Sequence, residues 1–230
     1  MRRDGFTGDI TLALKNAPAG FLLSGACIPA GQDKVRLTLT VPASRMGAPL
    51  KLYLEGVSTF NGREVRHMGI PSVDMTQAFE YHHLVPSNDW MIRIEASRGR
   101  DVEFAPTAQW KLLVDQPVKL PAGGTVPVKA FVPLGHLRGE IRAALSEPPE
   151  GITIQDASPV PNGIAFTLRA DPAKVKPGLR GNLMVDAFLE RAVDPSRPSQ
   201  PKSRRSGTHV ALGPLPAISF EIVGATEAGK

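Results

Sequence analysis

The chain has 230 residues, of which 42% are apolar but only 6% aromatic, so it is no disordered segment and its cores must be built from Val, Leu, Ile and Ala. Its 22 glycines and 22 prolines show no collagen-like period and leave little room for long helices. The formal charge of +5 comes from 27 bases interspersed with 22 acids, which argues against a nucleic-acid surface, because that requires clustered charge.

Taken in chain order, the first signals are strands. Ile10, Leu12 and Leu14 alternate with Thr11 and Ala13; Val35, Leu37, Leu39 and Val41 alternate with Arg36, Thr38 and Thr40; Leu50, Leu52 and Leu54 alternate with Lys51 and Tyr53. A period of two sends one set to a buried face and the other to solvent. Asn61-Gly62, between Val57–Phe60 and Arg63–Val65, predicts a hairpin, because both residues tolerate the positive φ of a type I′ turn. Ser72 to Glu80 opens with a candidate helix cap, yet Met75, Gln77, Phe79 and Tyr81 fit a period of two, and we read it as extended. The strand Trp90–Ile94 ends in the polar stretch Ser97-Arg98-Gly99-Arg100. Further strands are expected at Trp110–Val114, Val118–Leu120, Thr125–Val132, Ile164–Leu168 and Leu183–Leu189, with turns at Gly123-Gly124, Asn162-Gly163 and Lys176-Pro177-Gly178. The pattern predicts an all-β chain of two sandwich modules, 1–97 and 98–224, with 225–230 as a frayed tail.

The chain also repeats itself. Gly8-Asp9-Ile10 matches Gly139-Glu140-Ile141, and at the same spacing Leu14 matches Leu145, Pro18 matches Pro149 and Gly20 matches Gly151. After a two-residue shift Leu37-Thr38-Leu39 matches Phe166-Thr167-Leu168, and Pro71-Ser72-Val73 aligns with Pro216-Ala217-Ile218. The second copy carries three strand signals ahead of Gly139, whereas seven residues precede Gly8. The first module is therefore expected to lack its N-terminal strands, with Met1 not the natural start; the competing expectation is that Met75–Ile94 folds back to fill the gap.

No reactive constellation is legible. GxSxG, HExxH, GxxxxGK[ST] and EF-hand patterns are absent, so no catalytic residue is expected. Cys27 is the single cysteine and reads as a small core residue. His82 and His83 are adjacent, point to opposite faces of a strand, and cannot chelate one ion together; no metal or other cofactor is expected. No run approaches the roughly 18 apolar residues of a membrane helix, so membrane insertion is not expected, and the interspersed charge makes nucleic-acid binding equally unexpected. Tyr53, Phe79, Tyr81 and Trp90 are the candidates for a sugar-stacking platform, with packing of Phe79, Tyr81 and Trp90 at the module joint as the plainer reading. Arg197, Lys202, Arg204 and Arg205 lie in a Pro/Ser/Lys/Arg-rich loop suited to an anionic surface such as a cell-surface polysaccharide.

Several runs carry a resemblance: Arg2-Arg3-Asp4-Gly5-Phe6-Thr7-Gly8-Asp9-Ile10, the stretch Pro29 to Thr40, Gln77 to Pro86, Ser146 to Ile154, and Lys174 to Leu179. Together they resemble the C-terminal region of large exported bacterial proteins that also carry pre-peptidase C-terminal domains. The resemblance implies two tandem immunoglobulin-like β-sandwich modules, an extracellular or cell-surface location with the export signal upstream, and upstream domains of the same polypeptide as partners. It implies a non-catalytic structural or interaction role, and it brings no catalytic residues. The alternative is a carbohydrate-binding module accessory to an extracellular enzyme.

Overall fold

A computed structural model of the chain describes residues 3, 5–42, 48–76, 82–94, 110–131, 140–190 and 209–224. The described residues are all-β and sandwich-like, with eighteen strands and no helix. The chain divides into two compact units, one formed by Met1–Val35 with Leu39–Thr107 and the other by Arg36–Thr38 with Ala108–Lys230. The module boundary expected at 97–98 and the tail at 225–230 fall outside the described residues.

The first half of the chain forms β1 (Ile10–Lys15), β2 (Leu22–Ser24), β3 (Cys27–Ile28), β4 (Thr38–Thr40), β5 (Leu50–Phe60), β6 (Arg63–Met68), β7 (Ser72–Thr76), β8 (His82–Pro86) and β9 (Trp90–Ile92). Its main sheet runs β3-β1-β5-β6, with β9 also on β5, while β2 pairs β4 and β7 pairs β8. The hairpin predicted at Asn61-Gly62 joins β5 to β6, with φ of 50° and 74° at its two residues. The ambiguous segment after Ser72 is strand through Thr76, and the rest of it, residues 77–80, lies outside the described residues.

The second half forms β10 (Lys111–Leu112), β11 (Val118–Pro121), β12 (Thr125–Phe131), β13 (Glu140–Ser146), β14 (Ile152–Val160), β15 (Gly163–Ala170), β16 (Arg180–Glu190), β17 (His209–Pro214) and β18 (Ile218–Val223). One sheet has the order β10-β12-β15-β14 and the other β11-β18-β16-β13, with β17 also on β16. All these pairs are antiparallel except β11 with β18, which is parallel. Alternate residues turn inward: Val128 and Ala130 from β12, Ile164, Phe166 and Leu168 from β15, Leu183, Val185, Ala187 and Leu189 from β16, and Ile218, Phe220 and Ile222 from β18, all buried. Each large apolar side chain removed from water in this way stabilises the fold by about 1.5–3 kcal/mol.

The strand pairings repeat along the chain. Adding 131 to both members of Thr11↔Val57 gives Arg142↔Phe188, and the same shift carries Leu14↔Leu54 onto Leu145↔Val185 and Lys15↔Tyr53 onto Ser146↔Met184. Thus β1 and β5 pair in the register of β13 and β16. The pairing Leu52↔Trp90 likewise corresponds to Leu183↔Ile218, and Leu50↔Ile92 to Gly181↔Phe220. The counterpart of Ile218 is therefore Trp90, which corrects the alignment of Ile218 with Val73. The cause is an insertion: the β7–β8 hairpin, paired from Ser72↔Pro86 to Thr76↔His82, separates β6 from β9, whereas only Leu215 to Ala217 separate β17 from β18. Within Met75–Ile94, the described strands pair with β7 and with β5, so none of them takes the places of β10, β11 or β12.

Equivalent positions differ in burial. Val185, Ile218 and Phe220 are buried, but their counterparts Leu54, Trp90 and Ile92 are half-buried. Among the described residues of the first unit, the buried apolar residues are Ile10, Ile28, Pro29 and Leu52.

Candidate functional site

The long strand β5 organises the surface features of the first unit. Leu52 is buried and faces inward, and its register partner Trp90 therefore lies on the inner face beside it. Tyr53, one residue on, points to the opposite face and is 40% exposed, as its polar phase implied. The structure thus places Tyr53 and Trp90 on opposite faces of one sheet and does not bring them together. Phe79 and Tyr81, and the basic candidates Arg197, Lys202, Arg204 and Arg205, lie outside the described residues.

On the outer face the ammonium of Lys51 sits 5.2 Å from the centroid of the Tyr53 ring and is ion-paired with Asp89. Hydrogen bonding to Asp89 first, then to Tyr53, raises the Lys51 pKa above that of an ordinary lysine. Two positions further along the same face, Glu55 is buried. Its carboxylate accepts hydrogen bonds from Arg66 Nη1 at 2.9 Å and Lys15 Nζ at 3.3 Å, while Arg66 Nε donates to Glu64 at 2.7 Å. Desolvation works to raise the Glu55 pKa, but the hydrogen bonds and charges of Arg66 and Lys15 outweigh it, and the net shift is downward. No local motif marks this cluster in the sequence, although the Asn61-Gly62 turn fixes Val57 opposite Arg66 and so places Arg66 diagonal to Glu55.

Arg66 and Lys15 each bind one oxygen of the Glu55 carboxylate and stabilise its ionised form, which makes it a weak proton acceptor and a tie between β1, β5 and β6. Because its folded-state pKa is lowered, its stabilising contribution is present above the ordinary carboxylate pKa and is lost as pH falls through the lowered value. Glu55→Gln is expected to lower the urea midpoint at neutral pH, and the gap from the wild-type chain is expected to close in acid. A gap that stays constant down to acid pH would refute the assignment.

An open groove of about 580 Å³ lies in the second unit, lined by Arg142, Leu145, Ile152, Ile154, Asp156, Phe188 and Glu190 among others. Its Arg142 Nε donates to Glu190 at 3.0 Å. The groove is flanked by β13 and β14, each of which ends its sheet in the strand order. Its polar lining also includes Thr153, Gln155 and Asp156, with no Ser, Cys or His among the described lining residues.

His67 lies on β6 opposite Gly56, and His83 lies on β8 opposite Met75, in two separate sheets. No group of three or more His, Cys, Asp or Glu among the described residues is arranged to hold a metal ion. Cys27 is half-buried on β3. No helix of the described residues is long and apolar enough to cross a membrane. No family model, no curated protein and no solved structure matches the chain.

Proposed function

We propose that the chain is a non-catalytic structural and interaction region of a large exported bacterial protein, made of two immunoglobulin-like sandwiches in tandem. The observation that carries this reading is the repeated register, in which β1, β5 and β9 pair as β13, β16 and β18 do. Convergence of that kind over two sheet pairings is hard to reach except by two units of one design. In the second unit, the orders β10-β12-β15-β14 and β11-β18-β16-β13 follow the two-sheet arrangement of immunoglobulin-like domains, in which strands A, B, E and D face strands C, F and G. The parallel pairing of β11 with β18 then corresponds to a split first strand whose second part joins the last strand.

A rigid sandwich in series serves as a spacer and presents its edges and loops to partners. Upstream domains of the same polypeptide are the partners this reading favours, with an extracellular or cell-surface location. Its charged outer face, where Lys15, Glu55, Arg66 and Glu64 neutralise one another, supports a scaffold more than a reactive surface. The test is a broad screen of the purified chain for hydrolase, transferase and redox activity. No turnover is expected; turnover abolished by a single point substitution would overturn the proposal.

A further inference from the structure

We propose that the turn Pro29–Gln32, together with the carbonyl of Gly8, is a binding site for a guanidinium group, filled in this chain by Arg3, and that this clasp holds residues 3–8 on the first unit. The inference stands apart from the tandem reading above.

The Arg3 side chain is only 8% exposed, although arginine is ordinarily a surface residue. Its Nε donates to the Gln32 carbonyl at 2.5 Å and its Nη1 to that of Gly8 at 2.6 Å. Its Nη2 donates to the carbonyls of Pro29 at 2.7 Å and Ile28 at 3.4 Å. All three nitrogens therefore meet main-chain carbonyls, and Ile28 and Pro29 are themselves buried. Asp33 lies 3.8 Å from Nε and is 67% exposed, so the carbonyl dipoles hold the charge more than this ion pair does.

The turn is fixed by bonds of its own. The Gln32 amide donates to the Pro29 carbonyl at 3.1 Å, Gly31 takes a φ of 73° at the third position, and Asp9 Oδ1 accepts from the Ala30 amide at 2.7 Å. Its carbonyls and that of Gly8 face separate nitrogens across a planar fork. That spacing selects a guanidinium, whereas an ammonium is a compact point charge that cannot span the set. No described residue of 3–8 lies in a strand. The Phe6 amide donates to the Arg3 carbonyl at 2.8 Å, and the Phe6 ring meets Phe60 edge-on, 6.2 Å between centroids. Arg3 is thus the anchor that carries Phe6 to the end of β5.

The test uses the full chain and its Arg3→Ala, Arg3→Lys and Phe6→Ala variants, with methylguanidinium and methylammonium as probes. Amide exchange at Gln32 reads the turn, the Phe6–Phe60 nuclear Overhauser contact reads residues 3–8, and exchange in β16 checks that the probes leave the second unit unperturbed. Arg3→Ala is expected to speed exchange at Gln32 about tenfold, the scale of losing charge-assisted hydrogen bonds, and to abolish the ring contact. Methylguanidinium should restore slow exchange at Gln32 in Arg3→Ala, but not the ring contact, because the free probe is not tethered to Phe6. Methylammonium should not rescue, Arg3→Lys should behave as Arg3→Ala does, and Phe6→Ala should leave Gln32 as slow as in the wild-type chain. Unchanged exchange at Gln32 in Arg3→Ala, equal rescue by both probes, wild-type behaviour of Arg3→Lys, or a ring contact that persists without Arg3 would overturn the proposal. If Arg3→Ala also opens β1 and β5, recovery of their protection with methylguanidinium supports the site, and failure to recover overturns it.

Discussion

Phe166→Ala is expected to destabilise the chain by about 3–5 kcal/mol, the range for removing a buried aromatic ring from a core. Phe166 sits in the middle of β15 and pairs across to Val128 on β12, with Gln155 and Thr167 marking the next register step toward β14. It is 2% exposed, and its same-strand inward neighbours Ile164 and Leu168 are fully buried. Those neighbours belong to two hydrogen-bonded ladders and cannot collapse into the space that the ring leaves, so both the lost transfer energy and the cavity contribute. Against a total stability of about 5–15 kcal/mol for a domain, this is a large fraction. Urea unfolding followed by hydrogen exchange in β12, β15 and β16 reads it directly. A loss below about 1 kcal/mol would mean that the two sheets do not enclose the ring.

Much of this fold was legible because a sheet with one face buried writes itself into the sequence as alternation. Val126 to Phe131, Ile164 to Leu168 and Leu183 to Leu189 all read as strands and are strands. Asn61-Gly62 fixed the β5–β6 register locally, and with it the placement of Arg66 diagonal to Glu55. What was not legible depended on distant pairing. The face of Trp90 is set by Leu52, thirty-eight residues away in the chain, and no local pattern around Trp90 tells that it turns inward while Tyr53 turns out. The β7–β8 insertion defeated the repeat alignment for a similar reason. Its Ser72 and Val73 follow a proline just as Ala217 and Ile218 do, so the residues look alike although the strand that pairs with β5 comes later.

The two units allow one position to be compared in two settings. Leu52 and Leu183 are register equivalents on β5 and β16, pairing with Trp90 and Ile218 respectively, and they are 1% and 0% exposed. Chemistry and burial are matched, so Leu52→Ala and Leu183→Ala are each expected to lose about 2–5 kcal/mol. The consequences differ. Leu183 is one of many buried residues, with Val185, Ala187, Leu189, Ile218, Phe220 and Ile222 on the same sheet, and its loss lowers the stability of a core that persists. Among the described residues, Leu52 shares the first unit with only Ile10, Ile28 and Pro29 as buried apolar residues, so the same loss removes a much larger part of what holds β1, β5 and β9 together. Leu52→Ala is therefore expected to bring the amides of β1 and β5 close to unprotected exchange in water, whereas Leu183→Ala leaves β13 and β16 protected and shifts only the denaturant midpoint. Equal residual protection in the two variants would show that the first unit has as deep a core as the second, and that the half-burial of Leu54, Trp90 and Ile92 has no energetic meaning.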